Sequence, residues 1–403
     1  MRAVPLIAHI ADTHLGYAQL SLEEREEDVY SLFEEAVRRA VLEERADLVV
    51  LSGDVFDKPR PPNKALVRFR RALEVAEERG VKVVAVAGEH DLVKTRRDVS
   101  VLEVAPLLVE GLVVLWPPGS SGRPHKLEVR TSSSTLVLYG APAYPRTPQR
   151  LEHYRGLFAR YEREARAEEG VKVLAAHLPV EGFMSSEFEP SLPRAHLPRG
   201  FSYYALGHLH ARAWARTEEG ALLAYPGSID VLNRGEIESW RREGKGFYLV
   251  DLSGDEARIE RVDLDVRPQI AIEGELGEVL TSLGRELGAL ERRRPLVFLE
   301  VEVESGQRDR ARAEIEKMLR GRVLDYRLVL REKMIELGPV SFSASKSRSE
   351  VEVVSSILGL SEELARALVE LKACLASRRS ADECRVEVER YLELIESGGK
   401  RGA

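Results

Sequence analysis

Five short segments carry most of the side chains able to do chemistry: Asp12-Thr13-His14, Gly53-Asp54-Val55-Phe56-Asp57, Gly88-Glu89-His90-Asp91, His177, and Gly207-His208-Leu209-His210. Any one of them alone is ordinary, since Gly and Asp are common turn formers and a histidine after a strand is often a surface residue. The conjunction argues for function, because five of the nine histidines fall in these segments, each following an apolar run. Carboxylate oxygens mixed with imidazole nitrogens suit Mn²⁺, Fe²⁺ or Zn²⁺, and the lack of thiolates argues against a structural zinc. With this many donors, two ions are expected, bridged by a carboxylate, activating a water and neutralising phosphate oxygens. Alternate residues of an extended segment face one way, so His208 and His210 can reach one site. No Ser or Cys is placed for covalent attack. His9, His125, His153 and His196 read as core or surface residues.

The elements that must position these segments follow from the apolar patterning. Short β-rich runs alternate with helical patterns from the start to about Asp265, as in an α/β sheet protein. The candidate strands are 6–10, 48–51, 81–86, 136–139, 171–175, 204–206, 222–225 and 247–251. In open α/β sheets ligands bind beyond the carboxyl ends of strands, so all five segments should converge on one cleft. After the first strand, Val29, Phe33, Val37 and Val41, widened by Leu32, Ala36 and Ala40, form the stripe of an amphipathic helix. A smaller unit at 266–337 has strands at 296–303 and 323–330 around a helix near 310–319. Residues 338–349 read as a linker. Residues 350–396 read as helical, with a capping box at Ser380 and Glu383 and an apolar face through Cys384, Val388, Tyr391, Leu392 and Ile395; 397–403 reads as a flexible tail.

A chain of 403 residues exceeds one compact domain. No apolar run suffices for a membrane span and the opening lacks the pattern of a signal peptide, so a cytoplasmic, nucleoid-associated protein is expected. Cys374 and Cys384 lie far from the other reactive residues, which argues against a disulfide or a cysteine metal site. The charged fraction of 32%, with Arg prevailing over Lys, suits a hot-living source. The net charge of -7 offers no global attraction to nucleic acid, so any DNA contact must use local basic patches or bound ions.

The order DTH, GDVFD, GEHD, His177 and GHLH resembles that of the calcineurin-like metallophosphoesterase superfamily. HIADTHLGYAQ with the following Arg25 and Asp28, then SGDVFDKPRPP, YYALGHLHA and YPGSIDVLNRGE…KGFYLVDL, resembles the archaeal meiotic recombination eleven nucleases and the bacterial SbcD nucleases. The resemblance implies a four-layer αββα nuclease domain at 1–265, a small α/β DNA-capping domain at 266–337, and a helical segment at 350–396 that binds an SMC-like ABC repair ATPase. It implies a homodimer, for which 66–76 and 99–109 are candidate contacts. It also implies hydrolysis of DNA phosphodiester bonds with two Mn²⁺ in double-strand break repair. Asp12, His14 and His210 would hold one ion, His177 and His208 the other, and Asp54 would bridge. Glu89 would complete the second ion, His90 would serve the leaving oxygen, and Asp91 would orient its ring. The chain departs from the family where Glu89 replaces a common Asn and where Asp57 stands in place of a frequent His. As a ligand, Glu89 would bind the second ion more tightly than Asn. Two other readings compete: a phosphoesterase for small phosphate compounds, and a DNA and ATPase scaffold that has lost catalysis.

Overall fold

The central strands carry apolar residues on both faces, which requires that each sheet be covered twice. In the computed structural model, Ala8 and Ile10 of β1 (Ile7–Ile10) and Val49 and Leu51 of β2 (Leu48–Ser52) pack with the apolar stripes of α1 (Glu23–Arg38) and α2 (Asn63–Glu78). Ile7, Leu48 and Val50 point the other way, into a second core shared with another sheet. The structure describes residues 5–93, 99–120, 122–130, 134–183, 190–254, 256–290, 293–333, 349–376 and 384–396.

The first sheet continues through β3 (Lys82–Val86) to β4 (Leu112–Leu115), all parallel, and α3 (Val101–Val104) lies between them in sequence. The second sheet runs β5 (Lys126–Arg130), β6 (Thr135–Ala141), β7 (Val171–His177), β8 (Tyr203–Gly207), β10 (Leu222–Tyr225) and β9 (Ala213–Arg216), with a parallel centre and antiparallel edges. Tyr154, Phe158 and Tyr161 of α4 (Arg150–Arg166) cover its outer face. Beyond α5 (Ile237–Glu243), β11 (Gly246–Asp251) and β12 (Arg258–Asp263) return to β1 as antiparallel edge strands. The layers are therefore helix, sheet, sheet, helix, the expected αββα order.

A third, parallel sheet of β13 (Gln269–Glu275), β14 (Leu296–Val303) and β15 (Asp325–Glu332) packs with α6 (Leu276–Gly288) and α7 (Arg308–Leu319) around its own core. Fully buried Arg25 anchors it to the larger body through polar contacts. Its guanidinium bonds Asp230 at 2.5 Å, Asp28 at 2.6 Å and Gln19 at 3.0 Å. Asp28 in turn receives Arg267, and Gln19 receives Gln269, both at the start of the small unit. Residues 1–333 form one compact unit and 334–403 another.

The second unit contains α8 (Glu350–Leu358), α9 (Glu362–Ala376) and α10 (Arg385–Glu396). Ser349 and Glu352 form a reciprocal cap on α8, and Gly359 closes it at φ 62°. The expected box at Ser380 and Glu383, the linker at 338–348 and the tail at 397–403 lie outside the described residues. One sequence expectation is corrected here. Cys374 and Cys384 are disulfide-bonded, because the close pairing of α9 and α10 brings their Cα atoms to 5.9 Å, within bridging range. On α10 the expected stripe divides: Val388 and Tyr391 are half-buried, while Leu392 and Ile395, one turn apart, are exposed.

Candidate metal centre

The ends of β1, β2 and β3 in one sheet and β7 and β8 in the other meet over a single cleft. Asp12, His14, Asp54 and His208 all adopt positive φ, at 50°, 45°, 46° and 107°. That backbone conformation is rare for residues with a side chain and costs about 1–3 kcal/mol each, so the surrounding fold must impose it. Two motif glycines make room. A Cβ on Gly53, which sits at φ 90°, would lie 2.3 Å from His177 Nδ1, and a Cβ on Gly207 would lie 1.9 Å from the Ser52 carbonyl. Substitution at either would displace His177.

Three donor groups converge among the described residues: Asp12 with His14 and His210, Asp12 with Asp54 and His177, and His14 with Asp57 and His90. Asp54 Oδ2 lies 3.4 Å from His177 Nε2 and 3.7 Å from His14 Nε2, between the two imidazoles assigned to different ions. His14 and His210 face each other through their Nε2 atoms at 3.2 Å. His177 Nδ1 donates to the Ser52 carbonyl at 2.9 Å, which leaves Nε2 to offer its lone pair. Among the described residues that buried Nε2 has no hydrogen-bond partner, as suits a nitrogen that ligates a cation. The donor set therefore fits divalent ions. His208 joins through its backbone N–H, which donates to both oxygens of Asp12 at 3.0 and 3.1 Å, and its ring meets that of His177 edge to face.

Burial would raise the Asp54 carboxyl, but His177, His14 and His90 overcome it and hold Asp54 well below the usual carboxylate range. Burial would lower His177, yet the charge of Asp54 pushes it up instead. Each shift reports a strong local field that a cation would satisfy.

Behind the ligands lies a brace that sequence reasoning did not find. His210 Nδ1 donates to Glu236 at 2.8 Å, and buried Lys245 donates to the same carboxylate at 2.6 Å, to Ser228 Oγ and to the His210 carbonyl. Despite burial, His210 and Lys245 hold Glu236 down at about 2. The available signal was the polar stretch between β10 and β11, whose Ser228, Asp230, Glu236 and Lys245 are all buried.

Two expected roles come out differently. Asp91 does not orient His90: its oxygens accept the backbone N–H groups of Val55, Phe56 and Gly88, tying two site loops together, and burial raises its pKa to about 7. His90 Nδ1 instead donates to the Asp57 carbonyl at 2.9 Å. Glu89 joins none of the donor groups. One of its oxygens takes Arg146 at 2.7 and 3.0 Å and the other lies 2.9 Å from Arg150, whose buried guanidinium requires a counter-charge. The four histidines expected to be structural are also outside the groups. His9 bridges Ser52 and Tyr203 in the interior, His125 pairs with Glu164, His153 is exposed and His196 is half-buried.

Residues 5–212 match the family described as calcineurin-like phosphoesterase. The chain is similar to the DNA double-strand break repair protein Mre11 of Methanocaldococcus jannaschii, 34% identical over 270 residues, which are 66% of this chain and 69% of that one. The protein of the same name from Thermoplasma acidophilum is 32% identical over 311 residues, 73% of this chain and 76% of that one. The Aeropyrum pernix protein of that name is 35% identical over 280 residues, 68% and 64%.

Proposed function

From the premise that the chain belongs to the calcineurin-like phosphoesterase family, in its Mre11 branch, we propose that it is a two-metal, Mn²⁺-dependent DNA nuclease of double-strand break repair. The observation that carries this reading is the convergence of two donor groups on Asp12, with Asp54 beside both, at the meeting of the two sheets. Asp12, His14 and His210 would hold one ion and His177 and His208 the other, with Asp54 shared by both. Bound there, the ions supply an activated water and charge neutralisation for the phosphate. The half-exposed His90, placed by the Asp57 carbonyl, faces this centre and donates a proton to the leaving oxygen. Asp91 holds the loops bearing Asp54 and His90 in register.

Exposed apolar residues support the expected partners. Val67, Val104, Leu107 and Leu108 stand in the two stretches expected to form a homodimer and are 65%, 40%, 83% and 41% exposed. The open face of α10 supports docking of an SMC-like ATPase on the C-terminal helices. Among the described residues no helix is long and apolar enough to cross a membrane, and we place the protein in the cytoplasm with the nucleoid. The test is incubation of the purified chain with single- and double-stranded DNA and with a phosphomonoester, with and without Mn²⁺. Mn²⁺-dependent release of DNA fragments is expected. Hydrolysis of the monoester alone would favour a small-phosphate enzyme, and DNA binding without any cleavage a scaffold.

A further inference from the structure

Beside the metal centre lies a cavity of about 750 Å³, walled by three loops that carry Asp57 and Lys58, Glu89 and His90, and Tyr144 and Arg146. Its wall is continuous with the centre through His90 and Asp57, which also belong to a donor group. A phosphodiester seated on that group would therefore direct an adjoining nucleoside into the cavity. The volume lies within the roughly 300–1,000 Å³ of small-ligand sites. The lining is that of a base site: Pro59, Leu92, Tyr144 and Pro145 supply flat or apolar surface, while Lys58 and Arg146 supply positive charge at the rim. Arg146, paired with Glu89, is 62% exposed at its side chain, and Lys58, 3.8 Å from Asp57, is 69% exposed.

This geometry also gives Glu89 a role. A guanidinium on a flexible stem loses entropy when it is fixed, and Glu89 fixes Arg146 with two short bonds while anchored by Arg150 from below. The planar fork is then preset against the cavity mouth.

We propose that this cavity is a nucleoside subsite: it takes the base of the nucleotide next to the scissile phosphate against Tyr144 and Leu92, with Arg146, positioned by Glu89, on the neighbouring phosphate. The proposal rests on the nuclease reading for its substrate. It assigns the carboxylate of Glu89 to substrate positioning and not to metal.

Two measurements separate the proposal from that reading. The first compares kcat/KM for a short DNA strand with that for bis(4-nitrophenyl) phosphate, a phosphodiester without a base, in the wild-type chain and in Tyr144→Ala, Tyr144→Phe and Arg146→Ala. The preference for DNA should fall roughly tenfold in Tyr144→Ala, as expected for one lost stacking contact, and return in Tyr144→Phe. In Arg146→Ala the loss should lie mainly in KM. The second needs no turnover: deoxyadenosine monophosphate should bind about tenfold more tightly than deoxyribose 5-phosphate, and Tyr144→Ala should erase the difference. An active nuclease whose DNA preference is the same in all four proteins would overturn the subsite and leave the function standing. A chain that cleaves neither substrate would overturn the function, and equal binding of the two monophosphates would then overturn the subsite on its own account.

Discussion

The two sides of the metal centre are built differently. On the side of His210, the imidazole is backed by buried polar groups: Glu236 on its Nδ1, Lys245 and Ser228 on Glu236, and the Arg25 network close behind. On the side of His90, the imidazole is half exposed, its partner is a backbone carbonyl, and the next polar groups are Asp57, Glu89 and Arg146 around an open cavity. A low-dielectric brace fixes ligand geometry and tunes basicity, whereas an open wall leaves room for a substrate. The contrast separates holding ions from receiving DNA, and each prediction below either breaks that division or sharpens it.

The largest effect belongs to the carboxylate lying between the imidazoles of His14 and His177. Asp54→Ala should lower DNA cleavage by more than about a thousandfold and weaken both ions together, because one carboxylate faces both donor groups. His90→Asn, on the open side, should lower kcat by roughly 10²–10⁴ and leave Mn²⁺ binding nearly intact. Calorimetric Mn²⁺ titration of both variants checks this. Loss of both ions in the His90 variant would place His90 among the holding groups and abolish the division.

How much of this was legible in the sequence follows the same line. Asp12, His14, Asp54, His177, His208 and His210 could be singled out because each follows an apolar strand and because their segments occur together. The brace was not legible. Glu236 and Lys245 belong to types that are almost always exposed, and only the fold shows that they neutralise each other beneath His210. The contacts of Glu89 were hidden because its motif places it among ligands, while Arg150, 61 positions later, meets it from the start of α4. The disulfide was hidden for a similar reason, since only the pairing of two helices brings Cys374 to Cys384.

Next in size is an acid sensitivity seated in the braced interior. His9 bonds Ser52 Oγ at 2.6 Å and Tyr203 at 2.7 Å, linking the two sheets, and burial lowers its pKa to about 3 from 6.5. Between those values the unfolded chain takes up a proton there and the folded chain does not. Stability is therefore present above pH 6.5 and is lost as the pH falls toward 3, by about 5 kcal/mol at most. Urea midpoints measured from pH 7 to 4 in chelator should fall more steeply for wild type than for His9→Gln, which starts lower. Parallel slopes would show that His9 titrates freely and that the interior is wetter than the structure indicates.

The brace itself should be worth less than a ligand. Glu236→Gln keeps the shape but removes the charge shared by His210 and Lys245, and Mn²⁺ affinity should fall roughly 10- to 100-fold. Cleavage at saturating Mn²⁺ should recover most of its rate. A variant that binds Mn²⁺ like wild type would show that the buried network serves folding alone.

The smallest effect on metal is expected at Glu89, and it is the most discriminating. Were this carboxylate a ligand, Glu89→Asn would weaken the second ion, as the sequence pattern suggests. In the structure its oxygens are committed to Arg146 and Arg150, so the substitution should change Mn²⁺ affinity by no more than about twofold. Its cost should appear elsewhere. The Arg150 guanidinium is only 7% exposed at its side chain and would lose a counter-charge, which should lower stability by about 1–3 kcal/mol. Arg146 would lose its anchor and KM for DNA should rise. Mn²⁺ titration, urea unfolding and DNA kinetics on one variant thus assign Glu89 to one side of the centre or the other. A tenfold change in metal affinity with unchanged stability would move it among the ligands and erase the distinction between the braced and open sides.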